Sequence, residues 1–172
     1  HGAVAGLMLA LVLFRWRSQL PLLPIMDWIA IGTPLAGAFI RLGNLMNSEI
    51  VGAPTDVAWA FVFPEIDGLP RHPAQLYESV FFFVLFGVGV WLFKRLGYKV
   101  VRRGFYLSLM LIVIAGFRFC VEFVKEVQVS FERDMVLNMG QWLSVPLFVL
   151  GVFLMIYTQK SVKNSVNLEN NN

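Results

Sequence analysis

Residues 76–93 read LYESVFFFVLFGVGVWLF, eighteen positions with one charged side chain, Glu78, near the start. A helix of this length rises about 27 Å, close to the thickness of the hydrocarbon core of a bilayer. The run ends at a basic cluster that begins with Lys94 and Arg95. This stretch therefore predicts a membrane-spanning helix with a charged boundary at its far end.

Four more apolar blocks lie on either side of it, at residues 4–14, 28–46, 105–124 and 142–157. Because the apolar residues come in blocks rather than in alternation, they favour a helical bundle over a β-barrel. The chain is 58% hydrophobic and 15% charged, against about 45–50% and 25% in soluble domains. We predict an all-α, polytopic membrane bundle of about five spans over residues 1–160, followed by a disordered polar tail at 161–172.

The segment between the second and third blocks differs in composition. Residues 47–74 contain four prolines, four acidic residues and the turn pair Asp67-Gly68, a pattern that predicts an external loop or small head. Asp27, just before the second block, is predicted to cap the N-terminus of that helix.

The distribution of basic residues predicts the orientation. Five spans place nine Lys and Arg residues on one side of the membrane, three on the other and two, Arg41 and Arg118, inside spans. By the positive-inside rule, the side with nine faces the cytoplasm. The C-terminus is then cytoplasmic, and the Pro-rich loop and the start of the chain face outward.

Several classes of function are disfavoured. The net charge of +3 arises mostly from residues that flank apolar blocks, so we expect no nucleic-acid partner. Two histidines and scattered carboxylates give no metal-ligand spacing, and we expect no metal or other cofactor. The chain starts at His1, at the edge of an apolar run, without a basic leader or a cleavage pattern. We therefore expect part of a longer protein rather than a signal peptide.

Three charged residues, Arg41, Arg118 and Glu122, fall inside predicted spans. Each costs at least about 2.5 kcal/mol at membrane depth and so needs an explanation. One explanation is that the side chains reach the outer interface. For Arg118 and Glu122, a second is mutual neutralisation at i, i+4 spacing. Either would be purely structural.

A functional explanation rests on shared helix faces. Arg41, Asn44 and Ser48 are spaced i, i+3 and i+7, with Asn47 beside them, and Arg118 and Glu122 form a second polar face. Two planar guanidiniums in an apolar bundle suit an anionic phosphate. A phosphate that resides in a membrane belongs to a phospholipid head group, so these faces predict a lipid-binding pocket.

The remaining reactive side chains have competing interpretations. His1 is either a proton carrier or an interfacial polar residue. His72 lies in the loop and is interpreted as structural. Cys120 lies about 200° around the helix from Arg118, so it is interpreted as a lipid-facing or packing residue rather than a nucleophile.

Five motifs together resemble the prolipoprotein diacylglyceryl transferase family, and they occur in the family's order over nearly the whole chain. They are His1-Gly2-Ala3, Arg41-Leu42-Gly43-Asn44-Leu45-Met46-Asn47-Ser48-Glu49 with Gly52, Arg71-His72-Pro73-Ala74-Gln75-Leu76-Tyr77-Glu78, Phe117-Arg118-Phe119 through Glu122-Phe123, and Met139-Gly140-Gln141-Trp142-Leu143-Ser144.

The resemblance implies a multi-pass enzyme of the bacterial inner membrane. It implies transfer of the diacylglyceryl group of phosphatidylglycerol to the lipobox cysteine of a prolipoprotein, with release of glycerol 1-phosphate. The family's first helices, with a functionally important tyrosine, have no counterpart in this chain. By the resemblance, the functional positions are His1, Arg41, Asn44, Glu49, Gly52, Arg118 and Glu122, and Asn47 is an added candidate for substrate binding.

In this interpretation the substrate thiol is the nucleophile. Arg41 and Arg118 hold the phosphate, and Glu122 orients Arg118. His1 is one candidate for the base, and Glu49 is either a base or a partner of an arginine. A lipid or solute transporter with an Arg/Glu pathway is the alternative, although the chain shows no internal repeat. A noncatalytic scaffold would leave the polar helix faces unexplained.

Overall fold

The computed structural model describes residues 2–125 and 137–169 of the chain. Within them the protein folds into five α-helices and one short 3₁₀ helix, and the predicted polytopic helical bundle is confirmed. The elements are α1 (Gly2–Ser18), α2 (Leu22–Met46), α3 (Ala74–Val100), α4 (Phe105–Val121), the 3₁₀ helix (Glu122–Val124) and α5 (Met139–Glu169).

Four helical stretches of the described part are long and apolar enough to cross a membrane: Leu22–Met46, Ala74–Tyr98, Phe105–Val124 and Met139–Thr158. They correspond to the last four of the five predicted blocks. The first block forms α1, whose 17 residues are a little short for a hydrocarbon core of about 30 Å at 1.5 Å per residue.

The helices pack in pairs, α2 with α3 and α4 with α5, and α2 also contacts α4. A core cluster fills the space between α2, α3 and α4, and its members are Ala30, Ile31, Leu85, Tyr106 and Met110. The outer face of α3 instead exposes Val84, Val88 and Trp91. These residues recur at helical spacing, as expected of a face that meets lipid.

Two helices extend beyond their apolar blocks. The third block was predicted to stop at residue 93, but α3 continues to Val100 through a kink at Gly97, where φ is +54°. Helix α5 continues to Glu169, through most of the tail that the sequence predicted to be disordered.

Residues 47–73, all described, contain no α-helix. Two short antiparallel strands, β1 (Phe61–Val62) and β2 (Pro70–Arg71), pair with Phe61 opposite Arg71. Ala74, the predicted end of the loop, is the first residue of α3. We call residues 47–73 the head; its position outside the membrane remains a prediction.

The predicted capping role of Asp27 is wrong for its own helix. Helix α2 begins at Leu22, after Pro21, and Asp27 lies fully buried one turn further on. Its carboxylate accepts the backbone N–H groups of Gly104 and Leu107, each at 2.7 Å. These are the N-cap and N3 positions of α4, so Asp27 satisfies the start of a different helix.

Candidate active site

The last turns of α2 carry Arg41 and Asn44 toward the start of α3. Arg41 is half-buried, and its Nε forms an ion pair with Oε2 of Glu78. The Asn44 side-chain oxygen accepts from Nη1 of Arg41 at 3.2 Å when the amide is oriented so that its nitrogen donates to Ile40. Two neighbours therefore fix the plane of the guanidinium.

Glu78 is 3% exposed and binds a second cation. Its Oε1 pairs with Nζ of Lys125, whose ammonium also lies 3.6 Å from Oε2 of Glu122. Lys125 is one of the three basic residues that the predicted topology places on the outer side of the membrane, but it is buried, with 8% exposure. A chain of alternating charges thus links the end of α2 to the end of α4; we call Arg41, Glu78, Lys125 and Glu122 the charge network.

Arg118 and Glu122 do not neutralise each other. Helix α4 ends at Val121, so Glu122 already belongs to the 3₁₀ turn. In the described part of the chain, the ion pair of Glu122 is with Lys125, and Arg118 forms neither an ion pair nor a side-chain hydrogen bond. Arg118 is half-buried, one helical turn before the network.

The start of α5 closes the far side of Glu122. A Cβ at Gly140 would lie 2.5 Å from the Glu122 carboxyl carbon and within 2.7 Å of both its oxygens. A larger residue at this position would have to displace the carboxylate from its present place beside α5. The Ser144 hydroxyl, one turn later, donates to the Gly140 carbonyl at 2.6 Å.

The segment after α2 corrects the predicted polar face. Because α2 ends at Met46 with Asn47 as its C-cap, Ser48 does not continue the face of Arg41 and Asn44. Ser48 and Ile50 both have positive φ, +53° and +55°. For a β-branched residue this conformation is strained, and such strain persists only where the surroundings impose it.

Glu49, between them, is held through its backbone. Its N–H donates to the Asn44 carbonyl at 2.8 Å, and its carbonyl accepts from Nε2 of Gln75 at 2.6 Å. Gln75 is 1% exposed, and its side-chain oxygen has no hydrogen-bond partner among the described residues. The Glu49 side chain itself is exposed, which leaves it accessible to a substrate.

Gly52 joins this segment to the head. Its N–H donates to the His72 carbonyl at 3.0 Å, and its own carbonyl accepts from Nη1 of Arg71 at 3.0 Å. A Cβ at this position would lie 2.4 Å from the His72 carbonyl oxygen. Gly52 also forms an isolated β-bridge with Lys125, so the head contacts the charge network through backbone.

Arg71 stabilises the head from within. It is 4% exposed, and it grips Asp67 with two donors, Nη2 to Oδ2 at 2.5 Å and Nε to Oδ1 at 3.2 Å. These hydrogen bonds favour the ionised carboxyl and lower the pKa of Asp67 below its usual value.

The two histidines and the cysteine have separate positions. His72 lies in the head with Nδ1 3.3 Å from the Tyr77 hydroxyl, which accepts from Trp59 Nε1 at 2.8 Å. Cys120 is exposed and borders a shallow apolar crevice between α4 and α5. His1 lies outside the described residues.

Sequence reasoning missed Glu78, Lys125 and Gln75 as members of the site. Glu78 and Gln75 stand in the quoted motif that starts at Arg71, and Lys125 follows Glu122 by one turn. The missed signal was that a lone acid at the start of an apolar block needs a buried cation. The described residues contain no cluster of three metal-ligand side chains.

Comparisons with known proteins identify the family of this chain. The family model described as prolipoprotein diacylglyceryl transferase matches residues 1–157. A phosphatidylglycerol–prolipoprotein diacylglyceryl transferase of Bacteroides fragilis is 50% identical over 95% of this chain and 59% of its own length. Proteins of the same name from Chloroherpeton thalassium and Tolumonas auensis are 40% and 43% identical, over 95% and 93% of this chain and 61% and 62% of theirs. The chain thus spans about three fifths of the length of these relatives, and it belongs to the prolipoprotein diacylglyceryl transferase family.

Proposed function

We propose that the full-length protein transfers the diacylglyceryl group of phosphatidylglycerol to the lipobox cysteine thiol of prolipoproteins and releases glycerol 1-phosphate. The observation that carries this proposal is a guanidinium, Arg41, fixed at the end of a membrane-spanning helix by Glu78 and Asn44. The names of the relatives support the transferase rather than the transporter alternative.

Arg41 is oriented for a phosphate. Glu78 occupies its Nε and Asn44 its Nη1, while Nη2 makes no hydrogen bond or ion pair with another described residue. A phosphate oxygen can therefore bind the outer edge of the guanidinium without breaking the ion pair. Because the donor is already positioned, it stabilises developing charge without reorganisation.

Charge balance assigns a role to Arg118. The two cations and two carboxylates of the charge network neutralise one another, and Arg118 adds one positive charge in the adjacent turn. A phosphodiester carries one negative charge, so bound lipid neutralises the whole group. Arg118 then stabilises the leaving phosphate more strongly than the bound lipid, because the phosphate gains a second negative charge when its carbon–oxygen bond breaks.

The substrate supplies the nucleophile. The cysteine thiolate attacks the glycerol carbon that bears the phosphate, a carbon–sulfur bond forms, and glycerol phosphate leaves with the electron pair. The thiol proton needs an acceptor, for which His1 and Glu49 are the two candidates.

The decisive assay uses the full-length protein in membranes with phosphatidylglycerol and a lipobox peptide. We expect a peptide mass increase equal to one diacylglyceryl group and equimolar glycerol phosphate, and none with a peptide in which serine replaces the cysteine. Lipid movement without peptide modification would overturn the proposal in favour of a transporter.

A pair of variants identifies the base. His1→Gln should slow transfer about 10²- to 10⁴-fold without weakening lipid binding if the imidazole accepts the proton. A peptide with a more acidic thiol should partly restore the rate. If neither effect occurs, Glu49→Gln should show both.

We also propose an inner-membrane location with the site toward the outer face and residues 161–172 in the cytoplasm, as the distribution of basic residues favours. A tag inserted at Asp67 should be reachable from outside intact spheroplasts, and a reporter after Lys163 should be cytoplasmic. Protection of the Asp67 tag would contradict this orientation.

A further inference from the structure

Gln75 is a buried polar side chain to which the proposed reaction gives no role. It lies in the first turn of α3 and is 1% exposed. Its Nε2 donates to the Glu49 carbonyl at 2.6 Å, and its Oε1 has no hydrogen-bond partner among residues 2–125 and 137–169. Burying an amide with one end unpaired lowers stability, and an apolar side chain would fill the same space without that loss. The hydrogen bond to Glu49 therefore needs an explanation other than packing.

The segment that this hydrogen bond holds is strained. Ser48 and Ile50 flank Glu49, and both have positive φ. Such a conformation is unfavourable for any residue other than glycine, and it persists only where the surroundings impose it. Two hydrogen bonds fix Glu49 itself, since its N–H donates to the Asn44 carbonyl at the end of α2 and its carbonyl accepts from Gln75. Gln75 thus supplies the support that comes from a second helix.

The start of α3 connects this segment to Arg41. Gln75 and Glu78 are three positions apart and so lie on the same face of the helix. Glu78 forms the ion pair with Arg41, and Gln75 holds the backbone of Glu49. One turn of α3 therefore sets the position of the Glu49 backbone relative to the Arg41 guanidinium.

We infer that Gln75 is a positioning residue, which acts through the backbone of Glu49 to place the Glu49 carboxylate beside the substrate bound at Arg41. The inference rests on the proposed transferase function. Because the Glu49 side chain is exposed, the course of its backbone decides which part of the substrate it reaches. A displacement of about 1 Å at a reacting group can slow a reaction about 100-fold.

The test measures transfer from phosphatidylglycerol to a lipobox peptide by the full-length protein with Gln75→Met or Gln75→Leu. Both variants lack the donor but differ in shape, so an effect common to both belongs to the hydrogen bond. Ser79→Ala is the matched control. Ser79 lies one turn later on α3, is also 1% exposed, and donates to the Ala38 carbonyl of α2 at 3.0 Å. The control therefore removes a buried bond from α3 to a backbone carbonyl, but not the bond that holds Glu49.

We expect both Gln75 variants to lower kcat about tenfold or more. The KM for phosphatidylglycerol should change less than about twofold, because Arg41 keeps its partners. In a Glu49→Gln background, which keeps the backbone but not the charge, the Gln75 variants should lower kcat no further. Hydrogen exchange of residues 48–51 should be faster in the Gln75 variants only, and Ser79→Ala should keep the wild-type kcat.

Wild-type kcat in the Gln75 variants, full activity of Glu49→Gln, or equal losses from the Gln75 change in both backgrounds would overturn the inference and leave the transferase function intact. Failure of both Gln75 variants to fold, with Ser79→Ala folded, would also overturn it and assign Gln75 to the fold alone. A wild-type protein that leaves the peptide unmodified would instead contradict the proposed function. The hydrogen-exchange comparison would still show whether Gln75 holds the segment.

Discussion

The two ends of the bundle each bury a carboxylate, but they hold it with different donors. Asp27 accepts two backbone N–H groups at the start of α4. Within residues 2–125 and 137–169, Glu78 binds the side chains of Arg41 and Lys125. Backbone donors are fixed by the fold, whereas side-chain cations can share their charge with an incoming anion. Asp27 therefore serves the fold at one end, and the proposed chemistry belongs to the end that holds Glu78.

The largest expected effect is a loss of transfer on changing an arginine near the charge network. Arg118→Lys in the full-length protein should lower transfer by about 100-fold or more, because an ammonium cannot reproduce the planar, two-point contact with phosphate. Arg41→Lys should act in the same direction and somewhat more mildly. The readout is peptide diacylglyceryl transfer at matched expression and melting temperature.

Arg95→Lys is the control for this exchange, since it makes the same change at an exposed position of α3. It should leave transfer unchanged. Near wild-type turnover of Arg118→Lys would mean that Arg118 only reaches toward the interface.

The next effect is a loss of stability on changing Asp27 at the opposite end of the bundle. In Asp27→Asn, one of the two accepting oxygens becomes an NH₂ group, which cannot accept a hydrogen bond from the backbone N–H that it faces. The variant should therefore lose about 1–3 kcal/mol of stability. Thermal unfolding in detergent measures the loss. Transfer per folded molecule should stay close to wild type, the reverse of Arg118→Lys. A loss of turnover without a loss of stability would remove the distinction between the two ends.

A third prediction tests the close backbone contact between Gly52 and His72, which joins the head to the charge network. Gly52→Ala places a methyl group against the His72 carbonyl and should cost about 1–3 kcal/mol through overpacking. Gly43→Ala is the matched control, because nothing lies within 4 Å of a Cβ there. The melting temperature should fall and the head should be cleaved faster in the first variant only, because alanine at a helical position such as Gly43 does not lower stability. Similar behaviour of both would show that the contact with His72 adjusts freely.

How far the sequence predicts this molecule depends on the range of the interactions. The spans were predictable because apolar blocks and their basic boundaries are local signals. The partner of Asp27 is about eighty positions away, and the local rule assigned its cap to the wrong helix. The pairing of Glu78 with Lys125 likewise depends on how α3 and α4 pack.

Local spacing predicted only part of the geometry of the candidate site. Arg41 and Asn44 share a helix face as expected, but the end of α2 at Met46 removes Ser48 from it. The positive φ of Ile50 could not be anticipated, because a β-branched residue adopts it only under tertiary constraint. The course of the backbone between Arg41 and Gly52 could therefore not be predicted from the sequence.

The smallest expected effect concerns a third carboxylate, Asp67. It accepts hydrogen bonds both from a side-chain cation and from a backbone N–H group. Arg71 grips its side chain, and the N–H of Leu69 donates to it at 3.1 Å. Since these bonds lower the pKa of Asp67 below its usual 3.8, its contribution to stability is complete above that value. It is lost as the pH falls through the lowered pKa and the carboxyl becomes protonated.

Hydrogen exchange of residues 53–72, corrected for intrinsic rates, measures this contribution. Asp67→Asn should exchange faster than wild type at pH 7, and the difference should shrink below about pH 4. Asp56→Asn removes the same charge from an exposed position of the head and should match wild type throughout. The effect should be modest because Asp67 is close to solvent, where ion pairs are weak. A difference that persists undiminished at low pH would mean that Asp67 acts through its shape rather than its charge, and that the head is held by backbone pairing alone.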